Sequence, residues 1–98
     1  MKREEVYKLI DGEREYQDRR WTPETTTSKG LHSPEEWIVF MEDYLLEAKH
    51  ILARESLQFA YPKAMEIIRK VTAMGVCAME QIEIAPRHIP TSGSAGDL

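Results

Sequence analysis

The chain has 98 residues, with 13 Lys or Arg against 17 Asp or Glu and a formal net charge of −4 at pH 7. That length holds one domain with a thin core, and the acidic balance excludes a protein built to coat duplex nucleic acid. A single cysteine, Cys77, excludes an internal disulfide and suits a reducing compartment. The opening MKREEVYKLIDGE carries no apolar signal core, and no run approaches the roughly 18 apolar residues a membrane span needs, so a cytoplasmic protein without membrane contact is expected.

Residues 3 to 20 read as a first helix. Val6, Leu9, Ile10, Glu13, Tyr16, Gln17 and Arg20 share one face, which begins apolar and turns polar. Its end, GEREYQDRRW, sets Tyr16 and Trp21 among Arg14, Arg19 and Arg20. The stretch TPETTTSKGLH then breaks the pattern and reads as a loop. SPEEW opens a second helix: Ser33 caps, Pro34 fits the first helical position and Glu36 completes a capping box. This helix is expected from Pro34 to about Arg54, with Trp37, Ile38, Met41, Leu45, Ala48 and Leu52 as a wide apolar face. A third is expected from near Tyr61, with Pro62 in its first turn, to about Ile82. Ala64, Ile68, Val71, Thr72, Gly75, Val76 and Met79 line it, and the small residues Ala73, Gly75, Cys77 and Ala78 invite close approach of another helix. The tail APRHIPTSGSAGDL is rich in Pro, Gly and Ser and is expected to be loose.

The fold class is therefore all-α: a single domain over residues 1–84, with a tail at 85–98. Three helices leave part of their apolar surface wet. A homo-oligomer that completes a four-helix-bundle core is the simplest remedy, and a monomeric three-helix bundle the alternative.

Asp43 and Glu47 are one turn apart on the second helix, close to the face of Phe40, Tyr44 and Ile51, and Glu36 falls near them. With Glu66 on the third helix they could hold magnesium through carboxylate oxygens, or they could be solvated surface. Glu13 lies on the apolar stripe of the first helix and needs a partner, which Arg20 or an arginine of a neighbouring chain would supply. His50 and His88 show no zinc spacing, and Cys77 reads as packing.

IDGEREYQDRRW, then HSPEEWIVFMEDYLLEAKH, then AMEIIRKVTAMGVCAMEQ, together resemble the small MazG-like proteins of phages and bacteria, over roughly residues 5 to 84. The resemblance implies an all-α nucleotide pyrophosphohydrolase-like fold. Its active members hold magnesium with a Glu-Glu-x-x-Glu run on one helix and Glu-x-x-Asp on the next. In this chain Asp43 takes the first acidic position, Tyr44 the second and Glu47 the third; Glu66 matches the start of the second run, and Arg69 stands where its aspartate belongs. A guanidinium cannot ligate a metal, and its charge repels one.

The expected function is therefore non-catalytic binding of a nucleotide or a nucleotide-derived signal, cyclic ones included. The phage-like setting adds sequestration of a host signalling molecule as a counter-defence. Arg19, Arg20, Arg69 and Lys70 would meet phosphates, and Tyr16, Trp21 and Trp37 would stack on a base. Lys29 and His32, with the loop amides, would close over the ligand. The alternatives are a magnesium-dependent pyrophosphohydrolase using Asp43, Glu47 and Glu66 with Glu36, and a helical module that pairs with a protein partner. Tyr16 and Trp21 could instead simply anchor the end of the first helix.

Overall fold

The computed structural model describes residues 1–25 and 30–88. Three helices follow in order: α1 over Arg3–Arg20, α2 over Pro34–Arg54 and α3 over Leu57–Gln81, with no strand among the described residues. The fold is all-α.

The helix ends follow local chemistry. The Ser33 hydroxyl accepts from the Glu36 amide at 3.2 Å, and the Glu36 carboxylate accepts from the Ser33 amide at 3.0 Å. That capping box, with Pro34 behind it, fixes the entry of α2. Glu4 and Glu5 sit in the first turn of α1, and Arg19 and Arg20 in its last, each sign complementing the helix dipole. Helix α3 starts four residues before the expected Tyr61. The Ser56 carbonyl accepts from both Phe59 and Ala60, and Ala60 has no exposed surface, so burial extends the helix upstream of Pro62. Only Glu55 and Ser56 separate α2 from α3, which makes the two antiparallel neighbours.

Helix α3 is the centre of the molecule: α1 and α2 both pack on it and not on each other. The core is the cluster of Trp37, Met74 and Cys77, flanked by Trp21, Met41, Tyr44, Ala78 and Ile82. Small residues allow the approach that the sequence suggested. Ala60, Ala64 and Ala73 are buried, and the Met41 methyl lies 3.6 Å from where a Cβ on Gly75 would stand.

The wide apolar faces are only half used. Of the α2 face, Trp37, Met41 and Ala48 turn inward, whereas Ile38, Leu45 and Leu52 remain exposed. On α3, Ala64, Val71, Gly75 and Val76 are at least half-buried, and Ile68, Thr72 and Met79 are exposed. A single chain gives each of these helices too few neighbours to cover its full width. On α1 the inward face is rotated from the expected stripe. Arg14 and Gln17 are buried, Ile10 and Glu13 half-buried, and Val6, Leu9, Tyr16 and Arg20 exposed. The physical reason is an ion pair buried at its arginine end: a charged side chain turns inward because a carboxylate at the surface waits for it.

Candidate ligand pocket

That carboxylate is Glu80. The Arg14 guanidinium donates to it from Nε at 3.0 Å and from Nη2 at 2.7 Å, and Nη2 also reaches Asp18 at 2.9 Å. Its remaining nitrogen reaches the Gln17 side-chain oxygen at 3.4 Å, and Gln17 in turn donates to the Lys70 carbonyl at 3.2 Å. These bonds pull the Glu80 carboxyl below the usual carboxylate range and raise the Arg14 guanidinium further. They also fasten α1 to the C-terminal half of α3.

Residue 81 fastens the other wall. The Gln81 side-chain oxygen accepts from Trp37 Nε1 at 3.2 Å and from the His32 amide at 3.3 Å. Its amide nitrogen donates to the Gly30 carbonyl at 2.7 Å. Gly30 has φ 77°, a conformation glycine adopts without strain. His32 sets its ring edge-on to Trp37 at 5.2 Å and to Phe40 at 5.0 Å. His32 Nδ1 is buried without a hydrogen-bond partner, 3.6 Å from the Glu36 carboxylate.

Between the two fastened walls lies a cavity of about 660 Å³. Trp21, Trp37, Phe40 and Tyr44 give it aromatic walls, with Met74 and Cys77 beneath. Its charged lining is one cation, Arg14, and three carboxylates, Asp18, Asp43 and Glu80. Burial pushes the Cys77 thiol up, so it stays protonated and is a poor nucleophile. A cavity this size with aromatic walls and a few polar groups is the ordinary form of a small-molecule site.

A second cavity, of about 540 Å³, is lined by Glu13, Tyr16, Glu47, Lys63, Glu66, Arg69 and Lys70, with Ile51 and Ile67. Arg69 donates to Glu13 at 3.1 Å, so the half-buried Glu13 finds its partner on α3, where Arg20 or another chain had been expected. The two cavities share no lining residue, but one contact links them. Tyr44 lines the first and Lys70 the second, and the Lys70 ammonium lies over the Tyr44 ring, 4.6 Å from its centre.

The residues singled out from sequence are thus divided. Trp21, His32 and Trp37 line the first cavity, and Tyr16, Arg69 and Lys70 the second. Arg19 and Arg20 are exposed on α1 and line neither; the arginine that turns inward is Arg14. Lys29 lies outside the described residues. The acids separate too: Asp43 faces the first cavity, Glu47 and Glu66 the second. Among the described residues no three His, Cys, Asp or Glu gather as a metal site. Sequence reasoning missed Gln17, Phe40, Gln81 and the role of Arg14. The one local signal was the Arg14–Asp18 spacing, an ion pair within one turn.

No helix among the described residues is long and apolar enough to cross a membrane. No family model, curated protein or solved structure matches this chain.

Proposed function

We propose that the chain binds a nucleotide, or a nucleotide-derived signal such as a cyclic one, without hydrolysing it, and that the base enters the cavity walled by Trp21, Trp37, Phe40 and Tyr44. The observation that carries this reading is the fastening of that cavity. Trp37, nearly fully buried and with its ring nitrogen held by Gln81, fixes the base of that wall. The partly exposed Trp21, Phe40 and Tyr44 beside it offer ring faces already in place, on which a base stacks with little ordering cost. The MazG-like resemblance leads to the same ligand class. Sequestration of a host signal in the cytoplasm is the role that fits a binder without catalytic chemistry.

Two features favour binding over catalysis. The carboxylates that would share a magnesium ion are divided between two cavities. Arg69, at the position of a ligating aspartate, is engaged with Glu13 instead. The pyrophosphohydrolase reading retains one support, since Glu47 and Glu66 line the same cavity without hydrogen-bonded partners among the described residues. A second copy of the chain is proposed as the cover for Ile38, Leu45 and Leu52.

Thermal-shift screening against linear and cyclic nucleotides, with and without magnesium, followed by product analysis, tests the reading. The expected result is a raised melting temperature independent of magnesium, with the nucleotide recovered intact. Rapid magnesium-dependent release of pyrophosphate, abolished by Glu47→Ala, overturns it in favour of the enzyme.

A further inference from the structure

We infer that the bound nucleotide lies across the boundary between the two cavities, base against Tyr44 in the first and phosphate on Lys70 at the edge of the second. The inference rests on the nucleotide reading above and adds an orientation and a phosphate contact to it.

The first cavity disfavours the phosphate. Its single cation, Arg14, directs its donors to Glu80, Asp18 and Gln17. Three carboxylates share the lining with it, and Asp43 among them has no partner among the described residues. An anion placed there meets net negative charge, and four of the five guanidinium N–H donors of Arg14 are already directed at protein groups. A neutral base meets aromatic faces and, at Asp43, an acceptor suited to amino and ring N–H groups.

The second cavity holds the available cation. Of its three, Arg69 is paired with Glu13 at 3.1 Å and Lys63 with Glu55 at 2.7 Å. Lys70 has no carboxylate partner among the described residues, and its ammonium rests on a ring face alone. Because Glu47 and Glu66, also unpaired among the described residues, line the same cavity, the phosphate is placed at its edge, on the Tyr44 side, and not among them. Contact with an aromatic face is a weaker hold on an ammonium than a charge-assisted hydrogen bond to phosphate. The Tyr44 ring is also the wall of the base cavity. In the inferred pose a base packs against this ring with its sugar turned towards Lys70, so that a 5′-phosphate reaches the ammonium. One aromatic ring thus fixes both the stacking position and the place of the cation.

Titration of adenosine, guanosine and their 5′-monophosphates, followed by tryptophan fluorescence and calorimetry, tests the placement. On the native sequence at least one monophosphate is expected to bind roughly ten- to a hundred-fold more tightly than its nucleoside. Added salt should reduce that ratio. In Lys70→Met the ratio should fall to near unity, and in Lys70→Arg it should return, with circular dichroism confirming that both variants fold. Equal binding of nucleoside and monophosphate to the native protein removes the phosphate placement and leaves the base pocket standing. A ratio that survives Lys70→Met overturns the role of Lys70. Absence of binding by all four compounds at millimolar concentration overturns the placement, and a thermal-shift screen in which linear and cyclic nucleotides are equally silent overturns the nucleotide reading with it.

Discussion

Arg14 and Glu80, 66 positions apart in sequence, meet in a two-pronged ion pair with nitrogen–oxygen distances of 3.0 and 2.7 Å. Arg14 is buried, whereas the Glu80 side chain is 52% exposed, so water screens one end of the pair. Glu80→Gln should therefore cost about 1–2 kcal/mol at neutral pH, towards the low end for a charged hydrogen bond. The pH dependence has a definite sign. The folded-state Glu80 carboxyl is held below its unfolded value by Arg14. Its contribution is fully present above the unfolded value of about 4.3 and is lost as pH falls through the folded one. Denaturation midpoints of the native protein and Glu80→Gln should differ at pH 7 and converge in strong acid. A gap that persists there refutes the assignment.

Gln81 holds three groups from two separate segments, so its loss should exceed that of an ordinary surface glutamine. Gln81→Ala leaves Trp37 Nε1 and the Gly30 carbonyl without these partners in a part-buried setting, a cost of about 2–3 kcal/mol. Gln81→Glu keeps the acceptor for Trp37 and His32 but removes the donor to Gly30, which separates the two contributions. Urea unfolding and the tryptophan emission maximum report both. Native stability in Gln81→Ala means that the clamp is not a stabilising element.

Ile38, Leu45 and Leu52 recur every seven residues along α2 and are all exposed. Met65, Ile68 and Met79 on α3 are exposed as well. Light scattering at micromolar concentration should show at least a dimer, and Leu45→Glu with Ile68→Glu should reduce it to a monomer. A native mass of 11.4 kDa would remove the second copy from the description.

Trp21 and Arg20 are neighbours in sequence but differ in setting: Trp21 lines the aromatic cavity, and Arg20 is exposed outside both cavities. Trp21→Ala should weaken nucleotide binding by about 1–3 kcal/mol through lost stacking. Arg20→Ala should leave affinity nearly unchanged. The reverse pattern in a calorimetric titration would move the site onto the outer face of α1.

Local chemistry was legible in the sequence. The start of α2 could be read from Ser33, Pro34 and Glu36, because a capping box uses residues within one turn. The start of α3 was misplaced because Pro62 is a strong local mark, while the burial of Ala60 depends on packing. The inward turn of Arg14 could not be read from α1 alone, since it depends on a carboxylate far along the chain. The same holds for the division of the site residues. Trp37 and Arg69 were both named from sequence, but which cavity each lines follows from α1 and α2 each packing on α3 without touching.

Glu80 and Gln81 are consecutive, and they close α3. One grips α1; the other grips α2 and the segment before it. Terminal turns fray more readily than helix interiors, so both sides of the aromatic cavity are secured to the part of α3 most prone to open. A transient unwinding of one turn would release the two sides together, giving a ligand a way in without separate movement of either helix. Occupancy should in turn hold that turn closed. Amide hydrogen exchange at residues 78–82 is expected to slow on ligand binding more than exchange at Ala60 or Ala64. Uniform slowing along the whole of α3 would mean that entry depends on opening the entire helix.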